Sequence, residues 1–262
     1  MTELEAYLEK LAPDGICLAY SGGVDSRLML AVLMKIRAEK PFAFKSLLFS
    51  SCFQTRKETR EALDFAGSVN APVTEIRFDP LKIKDVRYNP RNRCYLCKRH
   101  LFGKARKIAD RAGLKHLIDG TNADDLTVWR PGMKALEETG VLSPFAELGM
   151  TKKTIRALSA QMGLDSAFKP SDSCLAARFA YGQELTETGL GNVECGEAFL
   201  KSLGFSVIRL RRHGEIVRIE IPPEEIPAFI RQRERIVSKL KEIGFVYLTL
   251  DLEGFRSGSM DL

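Results

Sequence analysis

The stretch that decides the fold is residues 16–26, ICLAYSGGVDS, in which a mostly apolar run leads into a serine- and glycine-rich turn. The turn runs directly into RLMLAVL at residues 27–33, whose apolar spacing is typical of a buried helix. The predicted order is therefore strand, turn and helix. Such a turn points backbone N–H groups and the positive end of the helix dipole toward one spot, which favours phosphate binding. Gly22 and Gly23 let the backbone approach an anion closely because they carry no Cβ.

Three polar side chains in the turn sharpen this prediction. Ser21 and Ser26 add hydroxyl donors, and Asp25 has a reason to lie beside phosphate if it holds Mg²⁺ that bridges pyrophosphate oxygens. The motif fits neither the Walker A pattern nor G-x-G-x-x-G. SGGVDS instead resembles the PP-loop of ATP pyrophosphatases, which split ATP into AMP and pyrophosphate. The alternative is an ordinary strand-to-helix loop.

Strands and helices alternate outward from this turn. Strands are expected at residues 15–20, 45–50, 73–78 and 116–119, and helices at 2–12, 25–38, 55–69, 94–112 and 151–162. This alternation predicts an α/β fold with a doubly wound parallel sheet, whose ligands bind at the carboxyl ends of the strands. Gly120, Asn122 and Asp125 follow the fourth strand, so they are expected on the same edge as SGGVDS and around the nucleotide. A helix N-cap with an acidic first turn is the other interpretation of these residues.

The chain is expected to form two domains with a boundary near Tyr181 and Gly182. Residues 1–181 form the predicted ATP pyrophosphatase domain. Residues 182–262 read as a smaller α+β domain with a helix at 193–203, a hairpin over 205–221, a helix at 224–243 and a closing strand at 245–252. Residues 80–93 and 165–182 read as loops. The second domain is too small for a rich core of its own, so we expect it to pack against the first domain or another copy.

Composition places the chain among ordinary globular proteins. It has 262 residues, of which 45% are hydrophobic and 28% charged, and a net charge of +6. The basic balance suits phosphorylated ligands, but no Lys/Arg block of the nucleic-acid-binding type is present. No apolar run approaches the length of a membrane span, and the N-terminus reads as an amphipathic helix. Six cysteines without a secretion signal favour reduced thiols and a cytoplasmic location.

Three of the cysteines carry a metal-binding signal. Cys94 and Cys97 form a C-x2-C motif at the start of a predicted helix, and Cys174 lies 77 residues beyond Cys97. This spacing is compatible with an iron–sulfur cluster, reactive thiols without metal, or zinc. Three thiolates suit a 4Fe–4S cluster with one iron free of protein ligands, whereas structural zinc needs four ligands. We therefore favour the cluster and keep the other two interpretations open.

Several motifs occur in an order that resembles the LarE family of ATP-dependent sulfur transferases, which act in nickel-pincer nucleotide biosynthesis. They span nearly the whole chain and comprise SGGVDS, C-x2-C, DGTNADD, Trp129-Arg130-Pro131-Gly132, GVLSPF at 140–145, Lys169-Pro170, CLAAR at 174–178 and GFRSGS at 254–259. One small departure is Ala177, where serine is common in the family. The resemblance implies that ATP adenylates a carboxylate of pyridinium-3,5-biscarboxylic acid mononucleotide, and that sulfur from sulfide or another donor then displaces AMP.

The resemblance also implies roles for individual residues. The family has a variant in which Cys174 would give up its own sulfur, and another in which a cluster on three cysteines carries exchangeable sulfide; Cys94 and Cys97 favour the second. Cys174 and Asp25 are the expected catalytic residues, and Ser50 would line the adenine site. Substrate binding is expected from Lys98, Arg178, Arg209, Arg211 and Glu220. A solvated strand face is the alternative for Arg209 and Arg211, and a homo-trimer or hexamer is a family-level expectation.

Other functions share parts of this pattern. A tRNA thiolase also pairs ATP with cluster cysteines and would bind tRNA in a salt-sensitive way. An amide-forming synthetase would use ammonia, and a nucleotide-binding regulator would release neither AMP nor pyrophosphate. The sulfur-transfer hypothesis makes a further geometric prediction, which is that the SGGVDS turn and the three thiols meet in one pocket.

Overall fold

The computed structural model describes residues 2–127, 132–168, 173–256 and 258–260. The motif residues 129–131, 169–170 and 257 lie outside the described residues. The chain divides into two compact units, and each is described by itself. The first unit comprises Met1–Ser51, Arg56–Phe78 and Asn92–Asp172, and the second comprises Cys52–Thr55, Asp79–Arg91 and Ser173–Leu262. The sequence-based boundary after Tyr181 stays a prediction.

The regular elements follow the predicted alternation. The strands are β1 Ile16–Tyr20, β2 Phe44–Ser50, β3 Val73–Arg77, β4 His116–Ile118, β5 Val141–Leu142, β6 Arg209–His213, β7 Ile216–Glu220 and β8 Tyr247–Leu250. The helices are α1 Glu3–Leu11, α2 Val24–Glu39, α3 Arg56–Ser68, α4 Lys84–Arg87, α5 Arg93–Arg111, α6 Ala123–Thr127, α7 Gly132–Glu138, α8 Pro144–Glu147, α9 Lys152–Gln161, α10 Glu187–Ser202, α11 Ile226–Arg231 and α12 Arg233–Ile243. Short 3-10 turns occupy Ala12–Asp14, Pro80–Lys82, Asp165–Phe168, Leu175–Arg178 and Pro223–Glu225.

A five-stranded sheet in the order β3-β2-β1-β4-β5 forms the centre of the first unit. All of its strand pairs are parallel. The strand order reverses between β1 and β4, and in sheets of this kind the crevice outside the carboxyl ends of two such strands is the usual ligand site. The predicted parallel α/β fold is therefore confirmed, and the loops after β1 and β4 lie on one edge.

Both faces of this sheet are covered by helices. Ile16, Leu18 and Tyr20 of β1 belong to a buried cluster with residues of α1, α2 and α9. The alternate residue Cys17 belongs to a second cluster, which contains Ala105 of α5. Because successive side chains of a strand point to opposite faces, β1 has to be apolar at every position. This requirement explains the continuous run that precedes the glycines.

The second unit contains a three-stranded sheet in the order β6-β7-β8. β6 and β7 are antiparallel and turn at His213-Gly214, as predicted, and β8 joins β7 in parallel. Gly214 adopts φ +64°, a left-handed conformation that suits glycine. Gly196 lets α10 approach this sheet, because a Cβ there would lie 2.5 Å from a Leu210 methyl carbon.

Several sequence-based boundaries were wrong. Residues 80–93 are not irregular throughout, since a 3-10 turn and α4 lie there and α5 begins at Arg93. The helix expected at 193 begins at Glu187, where the Thr186 hydroxyl caps it by accepting from the Gly189 N–H. Its glycines concealed this start, because glycine normally weakens a helix. The helix expected at 224–243 is divided at Gln232, and the loop expected at 165–182 contains two 3-10 turns.

Candidate nucleotide and sulfur-transfer sites

The turn after β1, residues 21–26, is here called the glycine turn. Gly22 has φ +75°, and a Cβ at this position would lie 2.4 Å from the Cβ of Ala62 on α3. Glycine is therefore required for two independent reasons, the backbone conformation and the close approach of α3. Gly23 is the N-cap residue of α2. The N-terminus of a long buried helix consequently points its N–H groups into the edge of the sheet, where an anion is favoured.

Hydroxyl groups brace this turn from inside. The Ser21 and Ser26 side-chain oxygens lie 3.0 Å apart, and the Ser26 hydroxyl also accepts from the Ser21 N–H at 3.3 Å. The Ser26 hydroxyl lies 3.1 Å from the Gly23 carbonyl oxygen, to which it can donate. The two serines thus hold the turn in shape before any ligand binds.

Arg27 supports the turn from the protein side, which the sequence analysis missed. Its Nε donates to the Gly22 carbonyl at 2.7 Å, and its Nη2 donates to the Glu61 carbonyl at 2.9 Å. The guanidinium also lies 5.0 Å from the centre of the Phe65 ring. A lone arginine in the apolar run RLMLAVL was the signal that could have revealed this role, because a buried arginine needs partners.

Asp25 lies in the first turn of α2 and has Lys152 as its partner. Lys152 Nζ lies 2.6 Å from Asp25 Oδ2, and both side chains are partly buried. The other oxygen, Oδ1, is buried and has no hydrogen-bond partner among the described residues. A buried carboxylate oxygen of this kind is a suitable ligand for a cation. Lys152 was not singled out from the sequence, since nothing in the local pattern separates it from Lys153.

The loop after β4 approaches the glycine turn closely. A Cβ at Gly120 would lie 3.0 Å from the Ser26 nitrogen, so the chain needs a small residue here. The Asn122 side chain accepts from the N–H groups of Asp124 and Asp125, and Asp125 accepts from the Asn122 N–H at 3.2 Å. This reciprocal pattern caps α6. The helix-cap interpretation of Asn122 and Asp125 is therefore confirmed, and their nucleotide role stays a prediction.

Asp119 ties this loop to the next strand. Its side chain accepts from the Thr121 N–H and hydroxyl and from the Ser143 hydroxyl at 3.1, 2.6 and 2.7 Å. Burial raises the pKa of Asp119, and these hydrogen bonds and the charge of Lys98 act in the opposite direction. Lys98 on α5 is thus close enough to this edge to influence it. Ser50, the expected adenine-site residue, ends β2 in register with Arg77.

The cysteines divide between the two units. Cys94 and Cys97 lie in the first turns of α5 in the first unit, three residues apart on one helical face, with Cys94 exposed and Cys97 half-buried. Cys174 lies in the second unit and is half-buried. None of the six cysteines forms a disulfide in the part of the chain that the structure describes. Within the described residues, the structure contains no group of three or more His, Cys, Asp or Glu side chains arranged to hold a metal ion.

Arg178 holds the Cys174 segment in place. Its Nη1 donates to the carbonyl oxygen and the hydroxyl of Ser173 at 2.6 and 2.7 Å, and to the Cys174 carbonyl at 3.3 Å. Its Nε and Nη2 form a two-pronged pair with the Glu197 carboxylate at 3.0 and 3.2 Å. Arg178 is 1% exposed and Glu197 is 4% exposed. Glu197 also accepts from the Leu210 N–H, which joins α10, β6 and the cysteine segment.

A second ion pair lies beside this one. Arg211 donates to Glu220 at 3.0 Å and to the Ala177 carbonyl at 3.0 Å, and Arg218 donates to the same fully buried Glu220. Burial lowers the pKa of Arg211, and the Glu220 carboxylate counteracts this effect. The group formed by Arg178, Glu197, Arg211, Arg218 and Glu220 is here called the charge cluster.

Arg209 is buried and stacks on Phe255, with its guanidinium carbon 5.2 Å from the ring centre. The solvated-face alternative is therefore wrong for Arg209 and Arg211, because both are buried.

Comparison with known proteins identifies relatives along nearly the whole chain. No model of a protein family matches it. An uncharacterised protein of Synechocystis is 35% identical over 98% of both chains, and one of Methanocaldococcus jannaschii is 31% identical over 95% of this chain and 94% of its own. A pyridinium-3,5-bisthiocarboxylic acid mononucleotide synthase of Lactiplantibacillus plantarum is 32% identical over 94% of this chain and 88% of its own. The chain belongs to the LarE family.

Membership of the LarE family confirms the resemblance inferred from the ordered motifs. The structure brings together one part of the predicted site, since the glycine turn, Asp25 and Gly120 converge in the first unit. It also brings Arg178, Arg211 and Glu220 together around the Cys174 segment in the second unit. The predicted meeting of these two sets stays a prediction. Among the described helices, none has the length and apolar character that a membrane crossing requires.

Proposed function

We propose that this LarE-family chain is an ATP-dependent sulfur transferase, which converts carboxylates of pyridinium-3,5-biscarboxylic acid mononucleotide to thiocarboxylates. The observation that carries this proposal is the relative named for the bisthiocarboxylic acid product, which matches 94% of the chain. The glycine turn supports the proposal independently. It places the N-terminus of α2, which favours anions, at the point where the strand order of the sheet reverses between β1 and β4.

The chemistry requires two steps. A carboxylate is a poor acyl donor, so its oxygen first attacks the α-phosphorus of ATP, which forms an acyl adenylate and releases pyrophosphate. A sulfur nucleophile then attacks the acyl carbon, the bond to AMP breaks, and a thiocarboxylate remains. Each round consumes one ATP and one sulfur atom, and the second carboxylate is treated in the same way.

The glycine turn supports the first step. The backbone N–H groups at the start of α2 and the hydroxyls of Ser21 and Ser26 can donate to phosphate oxygens, and their preorganisation stabilises the negative charge that develops in the transition state. Asp25 fits a Mg²⁺ ligand because its Oδ1 is buried without a partner among the described residues. Bound Mg²⁺ would neutralise phosphate charge. Gly120, Asn122, Asp125 and Ser50 complete the proposed nucleotide site.

Cys174 supplies the proposed sulfur site of the second step. Cys94 and Cys97, which lie on one helical face and form no disulfide, fit two of the three thiolates that we assign, with Cys174, to a 4Fe–4S cluster. Such a cluster would supply exchangeable sulfide. Arg178 binds the carbonyl oxygens of Ser173 and Cys174, so it fixes the backbone on both sides of the Cys174 Cα that carries the thiol.

Substrate binding is assigned to basic residues and one acid. Lys98, Arg178, Arg209, Arg211 and Glu220 form the proposed set. A guanidinium suits the phosphate or carboxylate of a nucleotide, since its donors match two oxygens at once. The ion pairs of Arg178 with Glu197 and of Arg211 with Glu220 hold these two guanidinium groups in fixed positions.

The test of the first step is ATP turnover with the substrate. We expect AMP, pyrophosphate and a thiocarboxylate, measured by mass spectrometry, and a loss of at least about 100-fold in Asp25→Asn, a size typical of removing one key transition-state contact. Asp64→Asn, at an exposed position of α3, is the control and should retain full activity. Release of ADP, or turnover that ignores the substrate, would contradict the proposal. Salt-sensitive tRNA binding would favour a tRNA thiolase instead.

The test of the sulfur step is anaerobic reconstitution with iron and sulfide. Cys94→Ala and Cys174→Ala should lose the visible absorption of the cluster, while Cys195→Ala, an exposed cysteine of α10, should keep it. Retention of the full iron content in Cys94→Ala would contradict the three-cysteine assignment. Loss of one hydrogen sulfide from the mass of Cys174 after turnover would show that the side chain itself is consumed.

A further inference from the structure

We propose that Lys152 is a nucleotide-binding residue, whose ammonium group transfers from Asp25 to the ATP phosphates when nucleotide and Mg²⁺ bind. This inference rests on the proposed function and adds a residue that the motifs did not identify. It concerns the first unit alone, since Asp25, Asp124 and Lys152 all belong to it.

The position of the ammonium group is the first observation. Lys152 Nζ lies 2.6 Å from Asp25 Oδ2, with side-chain exposures of 27% for lysine and 18% for aspartate. Asp25 is in the first turn of α2, directly after the two glycines. The Lys152 ammonium group therefore already lies beside the proposed phosphate site of the glycine turn. It contacts the carboxylate that we assign to Mg²⁺.

The backbone of Lys152 is fixed while its side chain is long. The Lys152 N–H donates to Asp124 Oδ2 at 2.8 Å, and the Thr151 hydroxyl caps α9 by accepting from the Thr154 N–H. Lys152 is the first residue of this ten-residue helix. The lysine side chain has four flexible methylene groups and its backbone is held by hydrogen bonds. The ammonium group can therefore change partners without movement of the helix.

The charges of the groups involved favour transfer of the Lys152 ammonium group from Asp25 to phosphate. A bare Asp25 carboxylate would repel a polyphosphate, and the lysine cancels that charge in the free protein. Mg²⁺ prefers carboxylate oxygens, whereas an ammonium group binds phosphate oxygens well. When both cations and the phosphates are present, the arrangement with most opposite-charge contacts places Mg²⁺ on Asp25 and Lys152 on phosphate.

A purely structural ion pair makes a different prediction. A partly exposed pair of this kind contributes little to stability. If Lys152 only holds Asp25, its removal would leave the affinity for nucleotide unchanged or would free the carboxylate for Mg²⁺. If Lys152 binds phosphate, its removal weakens the nucleotide complex.

The experiment compares ATP and inorganic pyrophosphate binding, with and without Mg²⁺, by calorimetry on the full chain. Lys152→Met should weaken Mg²⁺–ATP binding by roughly tenfold or more, as expected for a lost hydrogen bond to a charged group. Lys152→Arg should retain most of the affinity because it keeps the charge. Lys153→Met, the exposed neighbour, should match wild type. Circular dichroism establishes that each variant is folded.

The outcomes separate this inference from the proposed function. Wild-type binding of ATP with an unchanged affinity in Lys152→Met overturns the role of Lys152 and leaves the sulfur-transferase proposal intact. A wild-type protein that binds neither ATP nor pyrophosphate overturns both. Equal weakening in Lys152→Met and Lys153→Met would indicate a general charge effect and would also reject the proposed transfer of the ammonium group.

Discussion

The glycine turn and the charge cluster are built on opposite principles. The glycine turn is made of backbone and small side chains, and it leaves a buried Asp25 oxygen without a partner among the described residues. The charge cluster is made of long side chains, and its two buried carboxylates, Glu197 and Glu220, each accept from at least two donors.

This difference separates binding from positioning. A surface that keeps donors and an acceptor available can bind a ligand, because the ligand completes it. A network that satisfies its own charges stabilises one geometry, and the geometry it stabilises here includes the backbone of Cys174. We therefore expect substitutions in the cluster to lower stability and, through the altered geometry, the binding of substrate, and those in the turn to affect the binding of nucleotide.

The largest expected effect is that of Glu197→Ala. It leaves Arg178 buried without its carboxylate, and breaking a buried pair by removing one partner costs about 3–5 kcal/mol. Urea unfolding should show this loss in the free energy of unfolding. The same variant should also increase the rate at which Cys174 is alkylated, because Arg178 no longer holds Ser173 and Cys174 in one arrangement.

Glu215→Ala is the control for Glu197→Ala, since Glu215 lies exposed in the turn between β6 and β7. Surface substitutions of this kind stay within about 0.5 kcal/mol. If Glu197→Ala were as stable as Glu215→Ala, the buried pair of Arg178 and Glu197 would not stabilise the second unit as we expect.

The second effect tests the glycine turn as a packed backbone. Gly22→Ala places a methyl group 2.4 Å from Ala62 and forces alanine into φ +75°. Overpacking costs about 1–3 kcal/mol and the left-handed backbone about 1–2 kcal/mol, so we expect a loss of roughly 2–5 kcal/mol. ATP binding should be lost together with stability, measured by urea unfolding and calorimetry.

Gly67→Ala is the matched control because it lies in α3, the helix that crowds Gly22. A Cβ there meets no atom within 4 Å, so alanine should stabilise the helix by about 0.5–1 kcal/mol. Opposite signs for the two glycines would confirm that conformation and contact, not glycine as such, define the turn. A neutral Gly22→Ala would show that the glycine turn tolerates a Cβ at this position.

The glycine turn could be predicted from the sequence much better than the charge cluster. The glycine turn was predicted in detail because its signal is local, with strand, turn and helix contiguous in residues 16–33. The parallel sheet and the shared edge of the loops after β1 and β4 followed from alternation alone. Lys152 was missed because its partner Asp25 lies 127 residues away in sequence.

The charge cluster was only half visible in the sequence. Arg178, Arg211 and Glu220 were named in the sequence analysis, but Glu197, the buried partner of Arg178, has no local pattern that separates it from an exposed glutamate. Burial of a charge depends on what packs around it, and the Glu197 pairing joins α10 to a segment 19 residues earlier. Such pairings are properties of the tertiary structure, and periodicity cannot supply them.

A smaller effect is expected at the base of Lys152. Thr151→Ala removes the hydroxyl that caps α9, which costs about 1 kcal/mol of stability in typical helices. Thermal unfolding measures this loss, and Lys153→Ala in the same turn is the control. Because the cap anchors the lysine, Thr151→Ala should also weaken ATP binding slightly. A variant that lost stability without any change in affinity would show that the anchor is dispensable.

The smallest effect concerns His213, which ends β6 beside the charge cluster. Burial lowers the pKa of His213 below its usual 6.5, the charges of Arg218 and Arg211 lower it further, and Glu220 raises it. Its Nε2 is buried without a hydrogen-bond partner among the described residues. We expect His213→Gln to reduce the dependence of the unfolding free energy on pH between about 7 and 5. Urea unfolding at several pH values measures this dependence.

The sign of this dependence follows from proton binding. Below pH 6.5 the unfolded chain protonates His213 while the folded chain does not, so stability is lost as the pH falls toward the lowered pKa. Asp119 contributes with the opposite sign, since its raised pKa favours proton uptake by the folded chain. The difference between wild type and His213→Gln removes the Asp119 contribution, and the exposed His100→Gln serves as the control. If both histidine variants kept the wild-type slope, the pKa of His213 would be the same in the folded and unfolded chain, which would contradict the expected effect of its burial.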